Sequence, residues 1–235
     1  MNRWIAYRTL RARWRARVER LVRPAWLGTV RRSSPLSPNW GLDRGTPVDR
    51  YYIERFLNEH RLDIRGRALE VRNSDYLDRY GNGVERREVL DIDPTNPRAT
   101  LVADLSMADS VASDLFDCFV LTQTLQFIPD TRAAIRQTHR ILRSGGVVLA
   151  TMPSLSRIAP RYGLTSDYWR FTAASCGWLF GEAFGAEQVE VRSYGNMLAG
   201  IAFLAGMAQE ELSQAELEVN DPYFPLIIAV RAVKA

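Results

Sequence analysis

The sequence is poor in the residue types that build metal centres and disulfide frameworks. Its 235 residues include two cysteines, Cys118 and Cys176, and two histidines, His60 and His139. The cysteines lie far apart in apolar or helical contexts, so we expect neither a disulfide nor a cysteine-based metal site. So few histidines exclude most histidine-based metal sites. We therefore expect no metal and a reducing, cytoplasmic compartment.

The sequence also lacks segments that direct a chain into or across a membrane. Its start has no apolar stretch of the kind found in signal peptides. The longest apolar run, near residues 197–208, is too short to span a bilayer. Serine is absent from the first thirty-two residues, which disfavours a mitochondrial presequence. We expect a protein that is soluble or at most attached to a surface.

Acidic residues are scarce at the start of the chain. The first thirty-two residues hold ten arginines and one acid, Glu19, whereas the rest of the chain is net negative. Because an acidic domain attracts phosphates poorly, we expect no nucleic-acid partner. Within residues 3–23, apolar side chains recur every three or four positions, which predicts a basic amphipathic helix: Trp4, Tyr7, Leu10, Trp14, Val18 and Leu21.

Several interpretations of residues 3–23 stay open. This helix would lie on an anionic membrane or dock on an acidic protein. Alternatively, it would pack on its own domain or on the second subunit of a homodimer, or remain a disordered tail. A Pro/Ser/Gly-rich stretch follows at residues 33–45. We therefore divide the chain into a basic amphipathic helix with its linker, residues 1–45, and a main domain, residues 46–235.

The main domain alternates apolar strands with helices. Helices are predicted from Pro47, with Thr46 as the cap, and at residues 130–143, 173–184 and 196–211. Nearly continuous apolar strands between helices indicate an α/β fold with a mostly parallel seven-stranded sheet, helices on both faces and an antiparallel last strand. The predicted strands are residues 68–71, 88–92, 99–103, 116–122, 147–151, 188–193 and 226–233.

Polar side chains follow the first four predicted strands. In a doubly wound sheet, ligands bind at the carboxyl ends of the strands, so we expect these side chains to form a binding site. An acid about twenty residues past the first loop is the usual acceptor for ribose hydroxyls in such folds, and Asp91 occupies that place relative to Glu70. The candidates are Glu70 to Ser74, Asp91 and Asp93, Asp104, and Thr122 with Gln123.

Residues 114–153 carry the most specific motifs. They read DLFDCFVLTQTLQFIPDTRAAIRQTHRILRSGGVVLATMP, with an FD-containing strand, a basic helix end before two glycines and a strand closing in proline. These motifs resemble the second half of class I S-adenosylmethionine-dependent methyltransferases, the type-11 group. The resemblance covers about residues 65–195. It implies a Rossmann-like fold, an enzyme that transfers methyl groups, and S-adenosylmethionine as the cofactor.

Two further segments support the resemblance. The lead-in NWGLDRGTPVDRYYIERFL extends it back to about residue 39. The segment DYWRFT, residues 167–172, is similar to one in bacterial members encoded near glycan or secondary-metabolite genes.

The resemblance also implies contacts with the adenosyl part of the cofactor. Asp91, helped by Asp93, would hold the ribose hydroxyls. Asp104 would accept a hydrogen bond from the adenine amine, with the Leu105 backbone nearby. The floor under the sulfonium would consist of Thr122 and Gln123.

The loop after the first strand departs from the family pattern because it has no glycine. The family's E-x-G-x-G-x-G begins at Glu70, whose loop would meet the methionine end of the cofactor, and Arg72, Ser74 and Tyr76 replace the glycines. Glycine permits positive φ and a close backbone approach. Asn73 tolerates the left-handed region and Ser74 is small, so a turn stays feasible. Arg72 would either pair with the cofactor carboxylate or fill the site.

The acceptor side offers few chemical groups. Phe127 stands where many relatives carry a histidine, which leaves Asp167 as the one candidate base. Trp169 and Arg170 would form an aromatic and cationic wall over a sugar or an acidic substrate. Alternatively, Trp169 and Phe171 would only pack a lid helix, with Thr172 as its cap. Arg44, Asp49 and Arg50 would cover the cofactor from above, or would only pair with one another.

We therefore expect methyl transfer from S-adenosylmethionine to an oxygen or nitrogen of a small molecule or glycan. One alternative is a non-catalytic scaffold or partner protein of the same fold that has lost cofactor binding and is recruited by its arginine-rich helix. Another alternative keeps the cofactor without methyl transfer.

Overall fold

The chain divides into two compact units, Met1–Leu36 and Ser37–Ala235. The computed structural model describes Trp14, Val18, Leu21, Val22 and residues 28–235 apart from residue 162. The four described residues before residue 28 are helical, and Gly28–Val30 forms a 3₁₀ turn. Most of the predicted basic helix, residues 3–23, lies outside the described residues. Residues 37–45, which the sequence analysis assigns to the linker, belong to the second unit.

The second unit is built on a seven-stranded sheet in the order β3-β2-β1-β4-β5-β7-β6. Strands β1 to β5 pair in parallel, and β7 runs antiparallel to both of its neighbours. The predicted Rossmann-like, mostly parallel sheet with an antiparallel last strand is therefore confirmed. The strands are β1 (Gly66–Val71), β2 (Val84–Asp91), β3 (Leu101–Val102), β4 (Phe116–Thr122), β5 (Leu142–Pro153), β6 (Val189–Tyr194) and β7 (Ile227–Val233).

Helices pack on both faces of this sheet, as predicted. On one face, buried residues of the third and fourth helices join the core cluster that contains Leu69 and Phe119. On the other face, the first and fifth helices pack over Ala68 and Val120. The helices are α1 (Val48–Glu59), α2 (Asp75–Tyr80), α3 (Thr131–Ile141), α4 (Ala173–Phe184), α5 (Met197–Ala205) and α6 (Gln214–Glu218).

Several predicted boundaries are wrong for local reasons. Helix α1 begins at Val48, because Pro47 is still extended, and the Thr46 hydroxyl donates to Glu210 at 2.7 Å rather than capping α1. Helix α5 ends at Ala205 instead of residue 211, since Gly206 takes the left-handed conformation that stops helices. Helix α2 was not predicted at all. Strand β3 keeps only two of its five predicted residues.

The segment before α1 is fixed against the turn after α5. Gly206 has φ +77°, and a Cβ there would lie 2.5 Å from the Ser37 carbonyl oxygen. Pro47 and Ala208 form an isolated antiparallel bridge. The Arg44 guanidinium meets the carboxylate of Glu211 through two nitrogens, with Nε at 2.9 Å. These contacts hold the entrance to α1 in place.

Charged side chains brace the ends of the elements. Arg79 donates to both carboxylate oxygens of Glu54 at 2.7 and 3.0 Å and so joins α2 to α1. At the C-terminus, the Lys234 ammonium donates to the Asp114 carboxylate and to the Leu142 carbonyl, both at 2.7 Å.

Within the part of the chain that the structure describes, no helix is long and apolar enough to cross a membrane.

Candidate functional site

The polar residues predicted from the sequence lie at one edge of the sheet. Strands β3, β2, β1 and β4 are parallel neighbours, so the loops that follow them meet at their carboxyl ends. Asn96 ties two of these loops together: its Nδ2 donates to Asp91 Oδ2 at 2.6 Å and to the Arg72 carbonyl at 2.8 Å. We call this region, Arg72 to Tyr76, Asp91 to Asn96, Asp104 to Met107 and Thr122 to Ile128, the carboxyl edge.

Glu70 joins the end of β1 to the start of α2. Its side chain is buried, with the residue 2% exposed, and its carboxylate accepts hydrogen bonds from Tyr76 N at 3.1 Å and Leu77 N at 2.9 Å. A buried carboxylate facing the N-terminal N–H groups of a helix satisfies donors that otherwise have no partner. Burial nevertheless raises the pKa of Glu70 to about 7, and the two N–H groups only partly offset it.

Arg72 adopts the left-handed backbone conformation that usually requires glycine. Its φ is +72°, and its N–H donates to the Leu90 carbonyl at 2.9 Å. Ser74, at the second replaced glycine, has an ordinary φ of −116°. Left-handed backbone costs a non-glycine residue about 1–2 kcal/mol. The loop therefore keeps its shape after β1 at the expense of strain at one residue.

The acids after β2 and β3 keep acceptor capacity. Asp91 Oδ1 accepts from Asp93 N at 3.1 Å, and Asp104 Oδ1 accepts from Ser106 N at 2.8 Å. A carboxylate offers about four acceptor positions, so each acid can still accept from a hydroxyl or an amine. The Thr95 hydroxyl and N–H hydrogen-bond to Asp93, which lowers the pKa of that carboxyl.

Two apolar residues beside these acids were missed by the sequence analysis. Ile92 follows Asp91 and is 67% exposed, and Met107 lies three residues after Asp104 and is 71% exposed. Large apolar side chains left in solvent next to polar groups are typical of ligand sites. For Ile92, the signal in the sequence was an apolar residue directly after the acid at a strand end, whereas Met107 has no such signal. Leu105, in contrast, is buried.

Neutral polar groups lie buried at the ends of β4 and β5. Gln123, directly after β4, has φ +47°. Its Nε2, Gln126 Oε1 and Thr151 Oγ1 are buried and have no hydrogen-bond partner among the described residues. Thr151 pairs with Thr122 across β4 and β5, so these atoms belong to neighbouring strand ends. Buried polar atoms without partners are rare and costly, and they fit a site that a ligand completes.

The segment between β5 and α4 lies across this edge. Tyr168 N and Trp169 N both donate to the Gln126 carbonyl, at 2.8 and 3.3 Å. Trp169 Nε1 donates to the Ile128 carbonyl at 3.0 Å, and the residue is 43% exposed. The structure therefore brings Trp169 to the turn after β4 with part of its ring open to solvent.

The remaining candidates of the acceptor side are engaged in ion pairs. Asp167 accepts from Arg170 through both oxygens, at 2.6 and 3.1 Å, and from Ala159 N at 2.9 Å. Burial raises the pKa of Asp167, but these hydrogen bonds outweigh it and the pKa is lowered. Arg44 is held by Glu211, whose pKa falls to about 2 through that contact. Arg44 therefore pairs with Glu211 rather than with Asp49, whereas Asp49 and Arg50 pair with each other.

Among the described residues, no group of three or more His, Cys, Asp or Glu side chains is arranged to hold a metal ion. Cys118 and Cys176 are free thiols, both buried.

Replacing Glu70 by glutamine is expected to change how stability depends on pH. Because the folded-state pKa of Glu70 is raised, its contribution is fully present below about pH 4.5 and is lost as the pH rises through about 7. From pH 5 to pH 8, the unfolding free energy of Glu70→Gln should gain about 2 kcal/mol relative to wild type. Chemical denaturation at both pH values measures this gain, with exposed Glu85→Gln as the control. A difference that stays constant with pH would contradict it.

Arg72→Gly is expected to stabilise the fold relative to Arg72→Ala, since both variants lose the same side chain but only glycine relieves the left-handed strain. The expected difference in unfolding free energy is about 1 kcal/mol. Exposed Arg136, inside α3, is the matched control. There the order should reverse, because alanine suits a helix better than glycine. If the alanine variant were the more stable one at position 72 as well as at position 136, residue 72 would be unstrained.

Comparison with known proteins agrees with this geometry. Residues 70–150 match the family model of a methyltransferase domain. No curated protein sequence matches the chain.

Solved structures share the fold over most of the chain. An S-adenosylmethionine-dependent methyltransferase from Mesorhizobium loti is 15% identical, with a TM-score of 0.52 over 83% of this chain and 100% of that one. A methyltransferase of the same kind from Archaeoglobus fulgidus is 10% identical, with a TM-score of 0.52 over 79% and 94%. The [4+2]-cyclase SpnF is 13% identical, with a TM-score of 0.53 over 81% and 84%.

At such low identities, the structural likeness establishes the fold and leaves the acceptor open. The matched family model spans Glu70, the acids after β2 and β3, and strands β4 and β5 up to Ala150. The fold class, the enzyme class and the cofactor expected from the sequence are thereby confirmed. Residues 70–150 carry a methyltransferase domain of the type-11 family model, and the fold around it is that of class I S-adenosylmethionine-dependent methyltransferases.

Proposed function

We propose that this enzyme methylates an oxygen or nitrogen of a small molecule or glycan at the carboxyl edge. The observation that carries the proposal is the arrangement at the turn after β4. The partly exposed indole of Trp169 is bonded to this turn, the exposed residue Tyr168 is joined to it through its backbone, and amide atoms of Gln123 and Gln126 are buried within it. Aromatic faces and neutral hydrogen-bonding groups suit an uncharged polar acceptor such as a sugar.

The cofactor residues follow from the acceptor capacity of the acids. Asp91 would accept from the ribose hydroxyls, and Asp104 would accept from the adenine amine. Ile92 and Met107 would flank the adenine, because both side chains are exposed beside those acids. When bound, S-adenosylmethionine supplies an electrophilic methyl group on a sulfonium.

The contribution of the protein is then mainly positioning. Because the donor is already activated, alignment of the acceptor atom with the methyl group supplies much of the rate enhancement. Asp167 is held by Arg170 and its pKa is lowered, so it is a weak base and we give it no proton-transfer role. An acceptor nitrogen with a free lone pair needs no base, whereas a hydroxyl would gain from one.

Nucleic acid is a poor acceptor for this surface. The chain beyond residue 32 is net negative, which weakens attraction to phosphates. Asp91, Asp93 and Asp104 add negative charge at the carboxyl edge itself.

Asp91→Asn and Asp104→Asn are each expected to weaken S-adenosylhomocysteine binding about tenfold or more, through loss of a charge-assisted hydrogen bond. Isothermal titration calorimetry measures this effect. Asp114→Asn is the control, because this exposed acid precedes β4 and so lies at the opposite edge. Wild-type affinity in both variants would mean that Asp91 and Asp104 do not contact the cofactor.

Transfer of an isotopically labelled methyl group to a panel of sugars, small alcohols, amines and oligonucleotides tests the acceptor class. We expect labelling of a sugar, alcohol or amine. Trp169→Ala should lower kcat/KM for that acceptor about tenfold, while binding of S-adenosylhomocysteine is unchanged. Trp178→Ala is the matched control, since this exposed tryptophan lies on α4 against Arg132. Labelling of oligonucleotides alone would overturn the proposal.

A further inference from the structure

The first turn of α1 holds a buried acid whose second oxygen is unpaired. Asp49 is 8% exposed, and its Oδ1 is buried without a hydrogen-bond partner among the described residues. Its Oδ2 lies 3.3 Å from Nη1 of the adjacent Arg50, which is only half-buried. A buried carboxylate oxygen without a donor is costly, and such atoms in native proteins usually have a functional explanation.

This turn lies at the carboxyl edge. Helix α1 leads through Arg61–Asp63 to the start of β1, so its first turn is at the opposite end, near the carboxyl ends of the strands. The Glu54–Arg79 pair holds α1 against α2, which follows the loop of Arg72. Burial raises the pKa of Tyr76, Arg50 lowers it and Asp49 raises it, so both charges act on the first turn of α2.

The order of the strands indicates in which direction S-adenosylmethionine would lie along the carboxyl edge. With adenine at the acid after β3 and ribose at the acid after β2, the chain of the cofactor continues towards β1 and β4. The amino-acid end therefore comes to the loop after β1, beside the first turns of α1 and α2. An α-amino acid carries an ammonium and a carboxylate on one carbon. A neighbouring carboxylate and guanidinium match that pair of charges.

We propose that Asp49 and Arg50 recognise the amino-acid end of S-adenosylmethionine, Asp49 through the ammonium and Arg50 through the carboxylate. The inference rests on the cofactor site of the proposed function. Asp49 gains the donor that its Oδ1 lacks.

The test compares two ligands that differ only at this end. S-adenosylhomocysteine carries the amino acid, whereas methylthioadenosine keeps the adenosyl group and the sulfur without it. We expect Asp49→Asn and Arg50→Gln each to weaken S-adenosylhomocysteine binding about tenfold or more, and to leave methylthioadenosine binding within about twofold of wild type. Arg55→Gln, further along α1 at an exposed position that pairs with Glu59 of the same helix, should change neither affinity. Calorimetry supplies all the values without any need for an acceptor.

Any other pattern of binding contradicts the proposal, and each pattern shows which step of it is wrong. Equal losses for both ligands would mean that Asp49 only supports the fold of the edge, and unchanged affinities would mean that it does not meet the cofactor. Equal wild-type affinity for the two ligands would mean that the amino-acid end is not recognised at all. If wild type binds neither ligand, the proposed cofactor site fails, and this inference fails with it.

Discussion

The contact between the Glu70 carboxylate and the backbone N–H groups of Tyr76 and Leu77 organises the carboxyl edge. It spans the turn from a buried strand to a short helix, and it fixes where that helix starts. Helix α2 is only six residues long, so its own hydrogen bonds could not hold it in place. Helix α1 meets α2 through the Glu54–Arg79 pair. A buried carboxylate is costly, and its site is stable only while both N–H groups face it.

Strain at the carboxyl edge is confined to two neighbouring strand ends. Arg72 follows β1 and Gln123 follows β4, and both residues have positive φ. Left-handed residues other than glycine persist only where the surrounding structure holds them, and they cluster at binding sites. The Asn96 contact to the Arg72 carbonyl and the Thr151 carbonyl contact to Gln123 N hold these two turns. The missing glycines are thus replaced by tertiary hydrogen bonds rather than by another permissive residue.

Many of the strands and helices could be predicted from the local pattern of apolar residues. The elements that could not be predicted depend on contacts between distant parts of the chain or on a single buried side chain. Continuous apolar runs predicted β1, β4 and β7 well, because a strand buried on both faces has no other reading at that length. Helix α2 was missed because its sequence, DYLDRY, has one buried apolar residue and depends on Glu70 for its start. The strand-end acids were predictable from their position. The pairing of Arg44 with Glu211 was not, since those residues are 167 positions apart and meet only through packing of the chain between them.

The pairing of Lys234 with Asp114 and Leu142 affects chemical labelling of the protein. Lys234 is the only lysine among the 31 lysine and arginine residues of the sequence, so it carries the sole side-chain amine. Its ammonium is mostly enclosed by those partners. Acylating reagents and amine-directed crosslinkers therefore have a single, poorly reactive side-chain target here, and a surface-coupling strategy for this protein has to use another functional group. Because guanidinium groups stay protonated throughout the usable pH range, the charge of the arginines is also effectively constant.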